Sequence, residues 1–479
     1  MITSRWRRRA SRAGVVLVAA ALAVGAAGGG ATAAHAADVR TAEAPARIAV
    51  GTNRTLVDTR TGEAFFPRGF NYVRLTPSPA RPQNPYHSTF EPASYDPARA
   101  DAALRRFASF GYNTVRVFID PGDGQDNLAS RPHGLGHGDA DQRPADPAYL
   151  DNVADFVRKA AQHGVYVLPS LDVFPQNGYY RGVIAAATPP HNVEGRNRSY
   201  MYEGYIRAKE HYLATFTSEM KNRLGVLMST FLALQTDNEA YYTVNTAPFQ
   251  QKSGTVTVAG RTYDMAVPAQ RQAAADDAIV AYADRTVAAV KGEDPALLVT
   301  MGAFTNKAVG KTFDGLSGQC GGAACSDPRY PVRMSTLTRD SDLDLFDLHT
   351  YLHPNRPIET DLDSMEWSAV EGVVINGEFG ALHAEYNLDE ARRGLVEHQV
   401  TTCSLGISGW LFWTWDTDED ATQRLFHRGN ESGEAIGNSL APASRPDACA
   451  ARQAHPVTRP NPPLLPRPRE GALPLPRPR

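Results

Sequence analysis

Two glutamates far apart in the chain, Glu239 and Glu378, each follow a short apolar run. The first closes Phe231-Leu-Ala-Leu-Gln-Thr-Asp-Asn-Glu239; the second follows Val373-Val-Ile-Asn-Gly and opens Glu378-Phe-Gly380. Their neighbours suit sugar chemistry. Asn238 stands directly before Glu239, His349 and Tyr351 close another apolar run, and Trp413 and Trp415 follow a fourth. Breaking a glycosidic bond takes two carboxyl groups, one to donate a proton and one to attack or to activate water. Residues from different strand ends converge on one pocket when the strands form a parallel barrel.

Other chemistries fit less well. A serine nucleophile needs Gly-x-Ser-x-Gly at a strand-to-helix turn, and neither Gly315-Leu-Ser-Gly318 nor Gly406-Ile-Ser-Gly409 has that spacing. Phosphate loops and dinucleotide fingerprints are missing from the sequence. His349 and His353 lie four apart in a segment that reads as strand, where four residues span about 13 Å, too far for one ion. Neither metal nor cofactor is expected.

The apolar runs are the elements that must position these groups. Eight read as strands: 66–72, 114–119, 165–171, 231–235, 297–301, 345–349, 373–375 and 407–412. Between them, 98–110, 148–162, 203–223, 271–291 and 388–404 carry helical periodicity, the first two stopping near Gly111 and Gly164. Several strands are apolar throughout, as in a parallel sheet covered by helices. The alternation predicts an α/β fold, a (β/α)8 TIM barrel, with a doubly wound open sheet as the structural rival. Long segments at 77–95 and 173–202 follow the first and third strands and belong to the rim of the C-terminal face. Tyr179 and Tyr180 lie in the second of these. A hairpin-like insertion occupies 254–263.

The chain has 479 residues, 42% hydrophobic and 21% charged, with a net charge of −3. That balance gives no electrostatic reason for a nucleic-acid partner. The N-terminus reads as a signal peptide over 1–36: five arginines, an apolar stretch from Gly14 to Ala27, then Ala34-His35-Ala36. The mature protein is expected to be secreted, monomeric and free of the membrane, with one catalytic domain over 37–456. A Pro/Arg-rich disordered tail over 457–479 completes the chain. In an oxidising compartment the four cysteines allow three pairings, Cys320 with Cys325 and Cys403 with Cys449 being one. Asn53, Asn197 and Asn430 head glycosylation sequons.

Taken in order, Asn238-Glu239, His349-Thr350-Tyr351, Glu378-Phe379-Gly380 and Trp413-Thr-Trp415 resemble the retaining β-glycosidase clan of (β/α)8 barrels. The likeness is closest to glycoside hydrolase family 5, the cellulases and β-mannanases. Pro67-Arg-Gly-Phe-Asn71-Tyr and Val115-Arg116-Val117 add to it, and it spans roughly Val50 to Asp416. The resemblance implies a carbohydrate substrate, mannan or a β-glucan, cleaved by endo or exo action. It implies Glu239 as acid/base and Glu378 as nucleophile, with Asn238 on the sugar 2-hydroxyl, Arg116 beneath the nucleophile, Tyr351 orienting it and His349 beside the acid/base. Trp413 and Trp415 would stack a pyranose, and Asn71, Tyr179 and Tyr180 would line the substrate. Double displacement requires the two carboxyl groups about 5–5.5 Å apart. A sugar-binding protein without turnover is the reading from another class. Ala240 stands where the family usually has Pro, and Leu171-Asp-Val-Phe174 lacks the family's usual His, departures that bear on substrate.

Overall fold

Eight short parallel strands carry the architecture: β1 (Arg68–Asn71), β2 (Thr114–Phe118), β3 (Tyr166–Ser170), β4 (Leu234–Gln235), β5 (Val299–Phe304), β6 (Leu345–His349), β7 (Val374–Phe379) and β8 (Trp410–Phe412). Each pairs with the next in chain order, and β8 pairs with β1, so the sheet closes into a barrel. All eight runs expected as strands contribute one. This computed structural model describes residues 44–445, apart from 53, 79–80, 123–133, 137–142, 312–315, 317–326 and 420–422, together with 448–449. The signal segment 1–36, the tail 457–479, and Cys320 and Cys325 lie outside the described residues.

Helices α1 (Pro97–Ser109), α2 (Pro147–Gln162), α3 (Glu203–Leu224), α4 (Pro268–Glu293), α5 (Met334–Asp340), α6 (Ile358–Asp363), α7 (Leu388–Ser404) and α8 (Glu431–Leu440) alternate with the strands. Their starts are written locally. Asp96 and Asp146 accept from the first free amides of α1 and α2, each followed by proline at the first helical position. Asn387 and Glu390 form a reciprocal capping box on α7. No helix among the described residues is long and apolar enough to cross a membrane.

The two ends of the barrel differ in chemistry. Leu168, Leu232, Leu345, Ile375 and Leu411 form an apolar cluster with Ile48 and Leu56. Those last two belong to an antiparallel sheet of Ile48–Val50, Leu56–Asp58 and Ala64–Phe65. Leu345 opens β6 and His349 closes it, so this sheet covers the end opposite the strand C-termini. Polar residues collect at the other end. There the rim includes a hairpin of Leu75–Ser78 with Arg81–His87 and the helical segments Gly178–Ala185 and Arg198–Met201. The 254–263 insertion is a hairpin pairing Thr255–Val258 with Arg261–Asp264.

Cys403 on α7 is bonded to Cys449, fastening the segment after α8 to the barrel. Asn197 cannot serve as a glycan acceptor in the folded protein. It is fully buried, and its amide nitrogen bonds the carbonyls of Thr243 and Ala247.

Candidate active site

Arg116 sits mid-strand on β2 and points into the barrel, fully buried. A guanidinium there needs partners for its donors, since a buried unpaired charge costs several kcal/mol. Nη1 donates to Asn71 Oδ1 (2.9 Å) and Glu378 Oε1 (2.6 Å), Nη2 to Asn238 Oδ1 (2.5 Å), and Nε and Nη2 share Gln235 Oε1. Asn71 closes β1, Gln235 closes β4 and Glu378 lies in β7, so one side chain ties four strands and the segment after β4 together. Gln235 in turn donates to Asp347 Oδ2 (2.6 Å), which stands two residues before His349 and therefore on the same face of β6.

Glu378 reaches this layer because β7 carries an irregularity. Asn376 pairs with Trp410 and Phe379 with Phe412, three steps on one strand against two on the other. Such a bulge re-aims side chains beside active sites. Phe379 packs outward on His398 of α7, while Glu378 turns inward. Gly377 makes the turn possible: its N–H donates to Asp347 Oδ1 (2.6 Å), and a Cβ there would meet that carboxylate at 2.0 Å.

Glu378 receives a second donor, Tyr351 Oη at 2.8 Å from Oε2. Burial and the neighbouring Glu378 charge push the Tyr351 hydroxyl well above its ordinary pKa, so it stays a donor. Glu239 lies beyond the end of β4, with 27% of its side chain exposed against 7% for Glu378. Its contact is His349 Nδ1, at 3.0 Å from Oε1. The segment that carries it is pinned to β5: Gly302 N–H donates to Asp237 O, and Ala240 N–H to Gly302 O, both at 2.8 Å. A Cβ on Gly302 would lie 1.8 Å from Asn238 O. One carboxylate oxygen of Glu239, one of Glu378 and a nitrogen of His349 fall within 4.8 Å of one another.

His349 is fully buried between the carboxylates. Burial favours the neutral ring, but Glu378, Asp347 and Glu239 outweigh it and hold its pKa up to about 10. Asp347 shows the reverse. Burial would raise it, yet the charges of His349 and Arg116 and the Gly377 N–H keep it below the usual carboxylate range. A protonated imidazole donates rather than ligates, and Arg116 stands beside it, so this triad suits a reacting bond and disfavours a cation.

Of the residues expected at the site, Glu239, Glu378, Arg116, Asn238, His349 and Tyr351 come together. Trp413 borders them, packed edge-on against Phe118 with its indole N–H on Gln423. Four expectations are corrected. Trp415 packs among Phe70, Phe107 and Phe110, between β1 and α1. The strand ends at Phe412, so the two-residue period does not reach it, and Asp416 is drawn to Arg74 and Arg99. Tyr180 is fully buried, its hydroxyl on Pro144 O. Tyr179 packs edge-on against it and bonds His211 of α3, on the helical side. Asn71 is also fully buried, with both amide atoms engaged by Arg116 and Gly377 O, so it supports the site without facing sugar.

Gln235 and Asp347 were not anticipated. The signal was available: Gln235 closes an apolar run, and Asp347 interrupts another two residues before His349, on the same face. Asp237, buried, and Asp172, half-buried, form a further layer. The Asn238 N–H meets Asp172 Oδ1 at 3.3 Å, Tyr282 donates to Asp237, and Arg196 and Lys209 neutralise the pair.

The sequence profile described as cellulase (glycosyl hydrolase family 5) matches residues 77–419. No curated protein matches the chain. Among solved structures, the endo-1,4-β-mannanase of Rhizomucor miehei superposes with a TM-score of 0.55 at 13% identity, covering 83% of this chain and 99% of that one. A family 5 mannosidase from the same organism gives 0.50 at 12% identity, with 85% and 99% covered. The exo-β-1,4-mannosidase Op5Man5 from Opitutaceae bacterium strain TAV5 gives 0.49 at 16%, covering 84% of this chain, which spans only 63% of that enzyme.

Proposed function

This chain belongs to the cellulase family, glycosyl hydrolase family 5, and is a retaining glycosidase; from that premise we propose that it is a secreted enzyme cleaving β-linked mannan or its oligosaccharides, with Glu378 as nucleophile and Glu239 as acid/base. The observation that carries the double-displacement reading is the approach of the two carboxylates to within 4.8 Å. That spacing supports direct attack on the sugar, because inversion needs a wider gap to admit water, about 6.5–9.5 Å.

In the first step Glu378 attacks the anomeric carbon as an anion. Each of its nearest partners is a donor, Arg116 on one oxygen and Tyr351 on the other. Both also fix its direction. Glu239, more open to solvent, gives its proton to the departing oxygen, then takes one from the water that releases the glycosyl-enzyme. Asn238, held by Arg116, presents its amide nitrogen toward the sugar 2-hydroxyl. Trp413 offers a ring for stacking a pyranose.

Mannan ranks first because the neighbours named above with TM-scores of at least 0.5 are titled mannanase and mannosidase. Reducing-sugar release from mannan, glucomannan, cellulose and mixed-linkage β-glucan tests this. Mannan should be the best substrate, and release from β-glucans alone would refute it. Short mannosyl products throughout would mean exo action, a ladder of oligosaccharides endo action.

A further inference from the structure

The segments after β7 and β8 meet at a second cluster, separate from the acid pair. His427 is buried, Glu431 half-buried and His383 exposed, and one ligand atom from each lies within 4.8 Å of the others. His383 Nε2 is 3.1 Å from Glu431 Oε2, and His427 Nδ1 is 3.3 Å from the same oxygen. The far ring nitrogens are committed elsewhere, His383 Nδ1 to Arg424 O (2.8 Å) and His427 Nε2 to Tyr386 O (3.0 Å).

A carbonyl only accepts, so each far nitrogen carries a proton. In the neutral rings the near nitrogens are then bare lone pairs, and both face a carboxylate. The Arg428 N–H donates to the same Glu431 oxygen (3.1 Å), but the two ring nitrogens still repel it unless a cation or ring protons lie between them. A tetrahedral ion with bonds of about 2.0–2.1 Å holds its ligand atoms roughly 3.3–3.4 Å apart, close to the two nitrogen–carboxylate spacings, 3.1 and 3.3 Å. A backbone carbonyl behind each imidazole is the outer partner that metal-bound histidines use to fix tautomer and direction.

We propose that His383, His427 and Glu431 bind one divalent ion of zinc's character, with a fourth position open to solvent beside His383. Imidazole and carboxylate ligands suit zinc. The ion would clip together two segments already paired through His383 N–H to Leu425 O and His427 N–H to Ala381 O. Phe426, next to His427, packs on the Tyr351 ring at 5.6 Å, so the clip would steady the residue that orients Glu378. This inference does not depend on which sugar is cleaved.

The test is zinc titration of chelator-stripped full-length protein, followed by calorimetry, elemental analysis and thermal melting. One zinc per chain is expected, with Tm rising by about 5 °C at saturating metal. Cobalt in its place should give the strong visible absorption of a four-coordinate ion. His383→Ala, at the exposed position, should fold and lose affinity at least tenfold, with no cobalt spectrum. Glu378→Gln, which disables the acid-pair cluster, should bind zinc unchanged. The proposal is overturned if stripped protein binds no stoichiometric zinc, if His383→Ala binds as well as the parent, or if Glu378→Gln is the variant that loses it. Two protonated rings around Glu431 would then account for the geometry.

Discussion

Glu378 and Glu239 share one opening, yet the barrel treats them in opposite ways. Glu378 stands in a strand, on a bulge, 7% exposed, with a guanidinium on one oxygen and a phenol on the other. Glu239 stands past a strand end, 27% exposed, with a histidine on one oxygen. A group that forms a covalent bond gains from a fixed direction, because misplacement by an ångström costs orders of magnitude in rate. A group that gives and takes protons gains from access to solvent. The contrast in environment supports the two proposed roles, where their sequence surroundings are nearly equivalent.

Removing either carboxylate should break that contrast most sharply. Glu378→Gln is expected to lower kcat/KM by roughly 10^4-fold or more on every substrate, a scale seen when a nucleophile is deleted. Glu239→Ala should lose roughly 10^2–10^4-fold, the share of a general acid, and much less on aryl glycosides whose leaving groups need no proton. Azide should restore turnover only in Glu239→Ala with retained configuration; the opposite result would exchange the roles.

Arg116→Gln comes next, since it strands Glu378 and Asp347 in a dry interior. A loss of about 3–5 kcal/mol in unfolding free energy is expected by denaturant titration, together with activity. Unchanged stability would mean that water replaces the guanidinium. Tyr351→Phe isolates one donor to Glu378. Hydrogen bonds to charged groups contribute about 1.5–3 kcal/mol, so kcat should fall roughly 10- to 150-fold with little change in Tm.

A further consequence concerns pH. The pKa of folded His349 is about 10, above the ordinary value of 6.5. Its protonated form therefore stabilises the fold fully below about pH 6.5, and that contribution fades as pH rises to about 10. Melting curves from pH 6 to 10 should show this decline in the parent protein and not in His349→Asn. Parallel profiles would place the proton elsewhere.

Much of this was legible beforehand, for physical reasons. Barrel strands buried on both faces read as continuous apolar runs, so all eight could be found. The first two helices showed their ends through Gly111 and Gly164, while the caps at Asp96, Asp146 and Asn387 emerged with the structure. The residues around the acid pair came from the family resemblance, read onto the strand ends. Misplacements occurred where regular geometry stops. Trp415 was assigned by a strand period that ends at Phe412, and Tyr179 and Tyr180 by lying in a rim segment that in fact folds as the helix Gly178–Ala185. Gln235 and Asp347 were missed because one polar residue in an apolar run gives no hint of its partners until the strands are side by side. His383, His427 and Glu431 come from two different strand-end segments, so no local spacing could have linked them.

The central claim is that Glu378 forms the covalent bond, and trapping tests it directly. Protein incubated with 2-deoxy-2-fluoro-β-mannosyl and β-glucosyl fluorides can be digested and mapped by mass spectrometry. A glycosyl adduct on the peptide bearing Glu378, absent in Glu378→Gln and still formed in Glu239→Gln, is the predicted result. An adduct on Glu239, or none from either reagent, would contradict it.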